Sequence, residues 1–191
     1  MPWGDRAVSP CVFTPGVADA DKLSLGIGLQ IIDGRLGPPA GFLYYRLNIT
    51  QLGTAGGTTG AFVTQLEFYD ADGRWSPINM TSDSHNGFVA SAKAVYGSSA
   101  TYAAYKAFDG TADGQWGTEN QTTVPIWLQL QAPDYKELTK YAITRSGWWD
   151  YTPRAWQILA SNTGSFTGEE AVLHTGAFSG WQTTVRQEFA L

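Results

Sequence analysis

Residues 148–154, Trp148-Trp149-Asp150-Tyr151-Thr152-Pro153-Arg154, carry three aromatic rings, a carboxylate and a guanidinium in one short stretch. Indole and phenol rings stack on the apolar C–H face of a sugar, while Asp and Arg hydrogen-bond its hydroxyls. The stretch lies between two strand patterns, so a loop is expected. Three rings in one loop do not all enter one core. Either they form a displayed surface, or one Trp plugs the end of the fold and the rest is a solvated turn. A second expected loop, residues 81–88, holds Asp83, His85 and Asn86 as further polar partners. The candidate ligand-binding set is therefore Trp148, Trp149, Asp150, Tyr151, Arg154, His85 and Asn86.

Ca²⁺ takes several oxygen ligands from an irregular loop. Residues 107–116 form such a loop, where Asp109, Thr111 and Asp113 offer oxygens, with Glu119 just beyond. Two glycines permit unusual backbone angles there. The other reading is that Asp109 accepts backbone N–H bonds and closes a turn.

Parts for catalysis are missing. There is no Gly-x-Ser-x-Gly, His-Glu-x-x-His, phosphate loop or Cys-His pair. His85 and His174 stand alone, and Glu169-Glu170 reads as a solvated turn rather than a glycosidase pair. The expectation is a protein that is not an enzyme.

The elements that must carry these residues are short strands. Tyr45, Leu47 and Ile49 alternate with Arg46 and Asn48. Residues 62–69, 126–130, 141–144, 155–160 and 185–191 read in the same way, with Gly and Asn punctuating them. No segment of helical length keeps a 3.6-residue period, and at most one short helical turn is expected, at residues 103–108. Trp127 and Trp156 sit inside strand patterns and are expected in the core. Residues 1–42 differ: they hold five of the nine prolines, which disfavours helix. Leu23, Leu25, Ile27 and Leu29 alternate with small or polar residues, and Asp33-Gly34 signals a turn. A short arm with one apolar stripe cannot close its own core. It is expected to pack on symmetry mates or a partner particle; the alternative is that it adds strands to the main domain. The domains are thus an arm, 1–42, and a β-sandwich, 43–191.

Composition fits an all-β fold. Of 191 residues, 14% are aromatic, 22 are Gly and only 15% are charged. The net charge of −5 argues against a nucleic-acid partner, which needs Lys and Arg to neutralise phosphates. Cys11 is the single cysteine, so no intrachain disulfide forms and a free thiol is expected. No apolar run is long enough to insert in a membrane. The first residues lack the basic and apolar regions of a signal peptide, which implies synthesis and assembly in a cytoplasm.

Several motifs, in order, resemble the discoidin or coagulation factor 5/8 type C family. Lys106-Ala107-Phe108-Asp109-Gly110 followed by Gln115-Trp116 resembles its central signature. Pro125-Ile126-Trp127-Leu128-Gln129-Leu130, then Leu138-Thr139-Lys140-Tyr141-Ala142-Ile143-Thr144, resemble the strands that follow. Pro153-Arg154-Ala155-Trp156-Gln157-Ile158-Leu159-Ala160-Ser161-Asn162 resembles the next, and Arg186-Gln187-Glu188-Phe189-Ala190-Leu191 the closing strand. Tyr44-Tyr45-Arg46-Leu47-Asn48-Ile49-Thr50 and Gln65-Leu66-Glu67-Phe68 resemble opening strands of versions in phage tail proteins. The resemblance spans residues 43–191 and implies a jelly-roll β-sandwich. It also implies a structural Ca²⁺ held by Asp109, Thr111 and Glu188, although the family usually has Asn or Asp where Thr111 stands. It places the 148–154 loop on the rim where related modules bind sugars.

The resulting expectation is a non-catalytic, carbohydrate-recognising tail fibre or receptor-binding protein of a virion. It would contact host surface glycans, form a homotrimer, and join other tail or baseplate subunits through residues 1–42. The alternatives are a purely structural virion protein and a lipid-binding discoidin domain.

Overall fold

In the computed structural model, residues 30–32, 35–37, 40–53, 60–118, 123–147, 151–178 and 185–191 are described. Cys11, the apolar stripe of residues 23–29, the Asp33-Gly34 turn, Glu119, and Trp148, Trp149 and Asp150 lie outside the described residues. The chain divides into two units, Met1–Pro39 and Ala40–Leu191. In the first, β1 (Gln30–Ile32) pairs antiparallel with β2 (Arg35–Gly37), Ile32 opposite Arg35.

The second unit is an all-β sandwich of two antiparallel sheets. One sheet has the order β12-β11-β3-β9-β7-β6. Its strands are β3 (Phe42–Leu52), β6 (Ser84–His85), β7 (Phe88–Ala92), β9 (Ile126–Lys136), β11 (Pro153–Ser161) and β12 (Ala171–Ala177). The other has the order β13-β10-β4-β5, with β8 also on β4. Its strands are β4 (Phe62–Asp70), β5 (Gly73–Arg74), β8 (Trp116–Gly117), β10 (Lys140–Arg145) and β13 (Arg186–Ala190). Three 3₁₀ turns, Tyr96–Ser98, Ala100–Tyr102 and Ala104–Phe108, link β7 to β8. Among the described residues no helix is long and apolar enough to cross a membrane.

Period-two patterning decides what faces inward. Tyr45, Leu47 and Ile49 on β3, Ile126, Leu128 and Leu130 on β9, and Leu66 and Phe68 on β4 are fully buried in one core. The facing sheets meet through rings and through hydrogen bonds. Trp156 Nε1 on β11 donates to Tyr141 Oη on β10 at 2.9 Å. The Tyr141 hydroxyl is 2.6 Å from His174 Nδ1 on β12, so lone His174 is a structural partner. Burial pushes the Tyr141 hydroxyl up to about 12, and it stays a neutral donor and acceptor inside the core. Burial of each such large side chain stabilises the fold by roughly 1.5–3 kcal/mol.

Trp127 corrects an expectation. It lies on β9 with the parity of Gln129, opposite Asn48, and faces out of the sandwich half-buried. The Arg46 guanidinium covers it, 4.3 Å from its ring and 3.7 Å from the ring of Phe166. Arg46 also donates from Nη2 to Gln129 Oε1 at 2.8 Å. Trp156 is fully buried, as expected. Trp116 is buried as deeply, and its Nε1 donates to the Ala94 carbonyl at 3.1 Å.

Candidate functional site: an aromatic cleft at one end of the sandwich

Strand register brings several chain reversals to one end of the sandwich. Phe62 starts β4 opposite Gly117, and Val63 pairs with both Trp116 and Arg145. Pro153 starts β11 opposite Leu52. Tyr151 therefore arrives at this end just before β11, beside the start of β4.

The 3₁₀ ribbon after β7 reaches the same place. Gly97 and Ser98 take left-handed backbone angles, φ 59° and 50°, which reverse the chain. Ser99 Oγ then accepts from Thr101 N at 3.2 Å and starts the next turn. As a result Tyr96 and Tyr102 stand edge to face, centroids 5.2 Å apart at 74°. Both contact Phe62, at 6.1 Å and 5.5 Å. Tyr151 closes on Phe62 from another side.

Phe62, Tyr96, Tyr102, Tyr151 and Gln115 line a cleft of about 150 Å³. Phe62 is almost fully buried and forms the floor, whereas Tyr96 is 42% exposed. Ser146 Oγ donates to Gln115 Oε1 at 2.8 Å. That bond fixes the amide and leaves its NH₂ end for an acceptor on a ligand. Among the described residues the lining carries no charge. Rings with C–H-stacking faces, three phenol hydroxyls and one oriented amide suit a flat molecule with one apolar face and a polar edge.

Two buried polar atoms at this end, Arg145 Nε and Thr152 Oγ1, have no hydrogen-bond partner. The Arg145 guanidinium lies 4.0 Å from the Phe178 ring, and burial lowers its pKa. Unsatisfied buried groups cost about 1–3 kcal/mol each, so this end of the sandwich is less optimised for stability than the core beneath it.

Of the expected ligand residues, the structure places Tyr151 in this cleft. Arg154 lies on β11, half-buried, and its carbonyl accepts from Phe178 N at 3.1 Å. It does not line the cleft. His85 and Asn86 do not join it either. They sit on the β6–β7 hairpin at the far edge of the sheet, four strand spacings from β11, roughly 19 Å. There Asn86 Nδ2 lies 3.1 Å from His85 Nε2. Both residues line a separate cleft of about 330 Å³ with Arg74, Pro77, Ile78 and Phe88. Asn86 and Gly87 have φ 49° and 82°, the left-handed pair that a two-residue hairpin turn requires. The segment read as a loop is therefore a tight hairpin. Phe62, Tyr96, Tyr102 and Gln115 were missed because nothing in their local patterns distinguishes them from core aromatics and turn residues.

The structure gives the expected calcium ligands partners within the protein. Asp109 Oδ1 accepts from Thr111 N and Thr111 Oγ1, both at 2.9 Å, and from Gln65 Nε2 at 3.2 Å. Its Oδ2 faces Lys106 Nζ at 3.3 Å. A Cβ on Gly114 would fall 2.3 Å from Asp109 Oδ2 and 2.5 Å from Thr111 Oγ1, so the turn is closed on itself. Glu188 lies on β13, two strands from the Gln65 that anchors Asp109. Its carboxylate is held by Lys140 at 2.9 Å and Arg186 at 2.7 Å. Each of the two carboxylates already faces a cation. Among the described residues no group of three or more His, Cys, Asp and Glu side chains is placed to hold a metal ion.

No protein-family model matches the chain, and no curated protein or solved structure matches it either.

Proposed function

We propose that this protein is a non-catalytic carbohydrate-recognising module. The ligand sits in the aromatic cleft of Phe62, Tyr96, Tyr102 and Tyr151. The observation that carries the reading is the convergence of four rings and one oriented amide in a cleft where the chain reversals meet. Phe62 supplies the floor, Tyr96 and Tyr102 a wall, and Tyr151 the opposite side. A pyranose would stack its C–H face on a ring and present hydroxyls to the phenols and to Gln115. No proton transfer is needed for such recognition.

The biological setting proposed is a virion receptor-binding protein that contacts host surface glycans. The sequence resemblance to discoidin domains in phage tail proteins supports it. In the same reading the N-terminal unit joins copies of the chain into a trimer and docks them on tail or baseplate subunits.

A glycan array probed with the purified protein, and then with Tyr102→Ala, tests the ligand class. Specific binding by the native protein and its loss in the variant are expected. Silence of the native protein on the array and on bacterial lipopolysaccharide would sink the proposal.

A further inference from the structure

The aromatic cleft is small. At about 150 Å³ it falls below the ~300–1,000 Å³ of ordinary small-molecule sites. It holds one sugar ring, not a chain. The ribbon that forms its wall has a second side. Val95, Ser98, Ser99, Ala100, Ala103 and Tyr105 of the same ribbon turn towards residues 81–83 and line an open cleft of about 630 Å³. The two clefts thus draw on interleaved residues of one ribbon: Tyr96 and Tyr102 line the first, and Val95, Ser98, Ser99, Ala100 and Ala103 the second.

Their chemistries are complementary. The first offers ring faces. The second offers hydroxyls from Thr81, Ser82, Ser98 and Ser99, with the Asp83 carboxylate beside them. Asp83 is held in place because its Oδ1 accepts from Tyr105 N at 3.0 Å and its carbonyl from Ala90 N at 2.7 Å. A carboxylate has about four acceptor positions, so it retains capacity for ligand hydroxyls. Among the described residues neither lining contains Lys, Arg or His. The Asp83 carboxylate disfavours anionic groups beside it and accepts from hydroxyl donors.

Resting on the carbohydrate reading above, we propose that the two clefts are adjoining subsites for one neutral oligosaccharide. One sugar stacks in the aromatic cleft. The chain then crosses the ribbon at residues 96–100, and its following residues hydrogen-bond in the Asp83 cleft. The ligand class is a neutral glycan chain of at least two residues, not a single terminal sugar and not an acidic one.

The experiment is calorimetric titration with gluco- and galacto-oligosaccharides of one, two and four residues, and with their uronic-acid counterparts. The full chain is used throughout. The tetrasaccharide is expected to bind at least tenfold more tightly than the monosaccharide, and the uronates more weakly than either. In Ala100→Trp, whose indole fills the second cleft from an exposed position, the tetrasaccharide should bind no better than the monosaccharide. Asp83→Asn, which keeps the acceptor for Tyr105 N, should reduce the length gain without changing the thermal midpoint. Tyr102→Ala should lose binding at every length. Equal affinity for all lengths, or an undiminished length gain in both Ala100→Trp and Asp83→Asn, overturns the two-subsite proposal while leaving a sugar-binding cleft intact. Tighter binding of the uronates overturns its neutral ligand class. No binding at any length overturns both proposals together.

Discussion

The ring of Tyr151 stands edge-on to the ring of Phe62, centroids 5.1 Å apart with planes at 79°. Tyr151 precedes β11 of one sheet, and Phe62 opens β4 of the other. The pair therefore bridges the two sheets at the end where the cleft lies. An aromatic pair contributes about 0.5–1.5 kcal/mol beyond its area. A double-mutant cycle of Phe62→Ala and Tyr151→Ala, followed by urea unfolding, should give a coupling energy of about 0.5–1.5 kcal/mol. Strict additivity would show that the edge contact does not hold the cleft together.

Gly117 lies flat under Phe62. The two residues are paired across β4 and β8, and a Cβ on Gly117 would come within 2.3 Å of Phe62 Cε1. Gly117→Ala must push the ring into the cleft. Glycan affinity is expected to fall at least tenfold, with about 1–3 kcal/mol of lost stability from the forced repacking. An array profile identical to the native one would mean that the Phe62 ring does not define the cleft floor.

Much of the scaffold was legible. The alternation of Tyr45, Leu47 and Ile49, and of Ile126, Leu128 and Leu130, specifies inward faces because a strand's side chains alternate strictly. The same rule puts Trp127 with Gln129 on the outer face. Counting its bulk rather than its parity sends it wrongly to the core. The Asn86-Gly87 pair was also readable as a hairpin turn, which would have moved His85 away from the aromatic loop. The cleft was legible only at Tyr151. Tyr96, Tyr102 and Phe62 meet through register and a 3₁₀ reversal, and such long-range convergence leaves no local period in the chain. The Asp109 loop shows a related ambiguity. The oxygens that can hold a cation also satisfy a turn, and only the position of Gln65, Lys106 and Gly114 decides between the two.

That decision is open to measurement. Because Asp109 is already satisfied by Thr111, Gln65 and Lys106, removal of divalent cations should leave the thermal midpoint unchanged. A ligand bound to the native state at 100 times its Kd would stabilise it by about 2.7 kcal/mol, a shift that scanning calorimetry with and without EDTA resolves. A fall of several degrees in EDTA, reversed by Ca²⁺, would refute the closed-turn reading.

Glu67 is expected to contribute to the acid sensitivity of the fold. It lies on β4 with its carboxylate nearly buried, forked by Arg186 from β13 through Nε at 2.8 Å and Nη2 at 3.0 Å. Arg74 on β5 adds a contact at 3.3 Å, and the Tyr69 hydroxyl donates to the same carboxylate. Burial alone would raise its pKa, but the bonds from Arg186 and Tyr69 and the charge of Arg74 outweigh burial and hold it below the ordinary carboxylate range. A depressed folded-state pKa stabilises the fold at pH values above the unfolded-state value, about 4.3. That stabilisation is lost as pH falls through the folded-state value. Glu67→Gln should therefore cost about 1–2 kcal/mol at pH 7, at the low end for bonds to charge because Arg186 is partly exposed. Urea unfolding from pH 7 to pH 3 should show the native and variant curves converging as acid protonates Glu67. A gap that stays constant across that range would mean that the ion-pair cluster around Glu67 contributes nothing to stability through its charge.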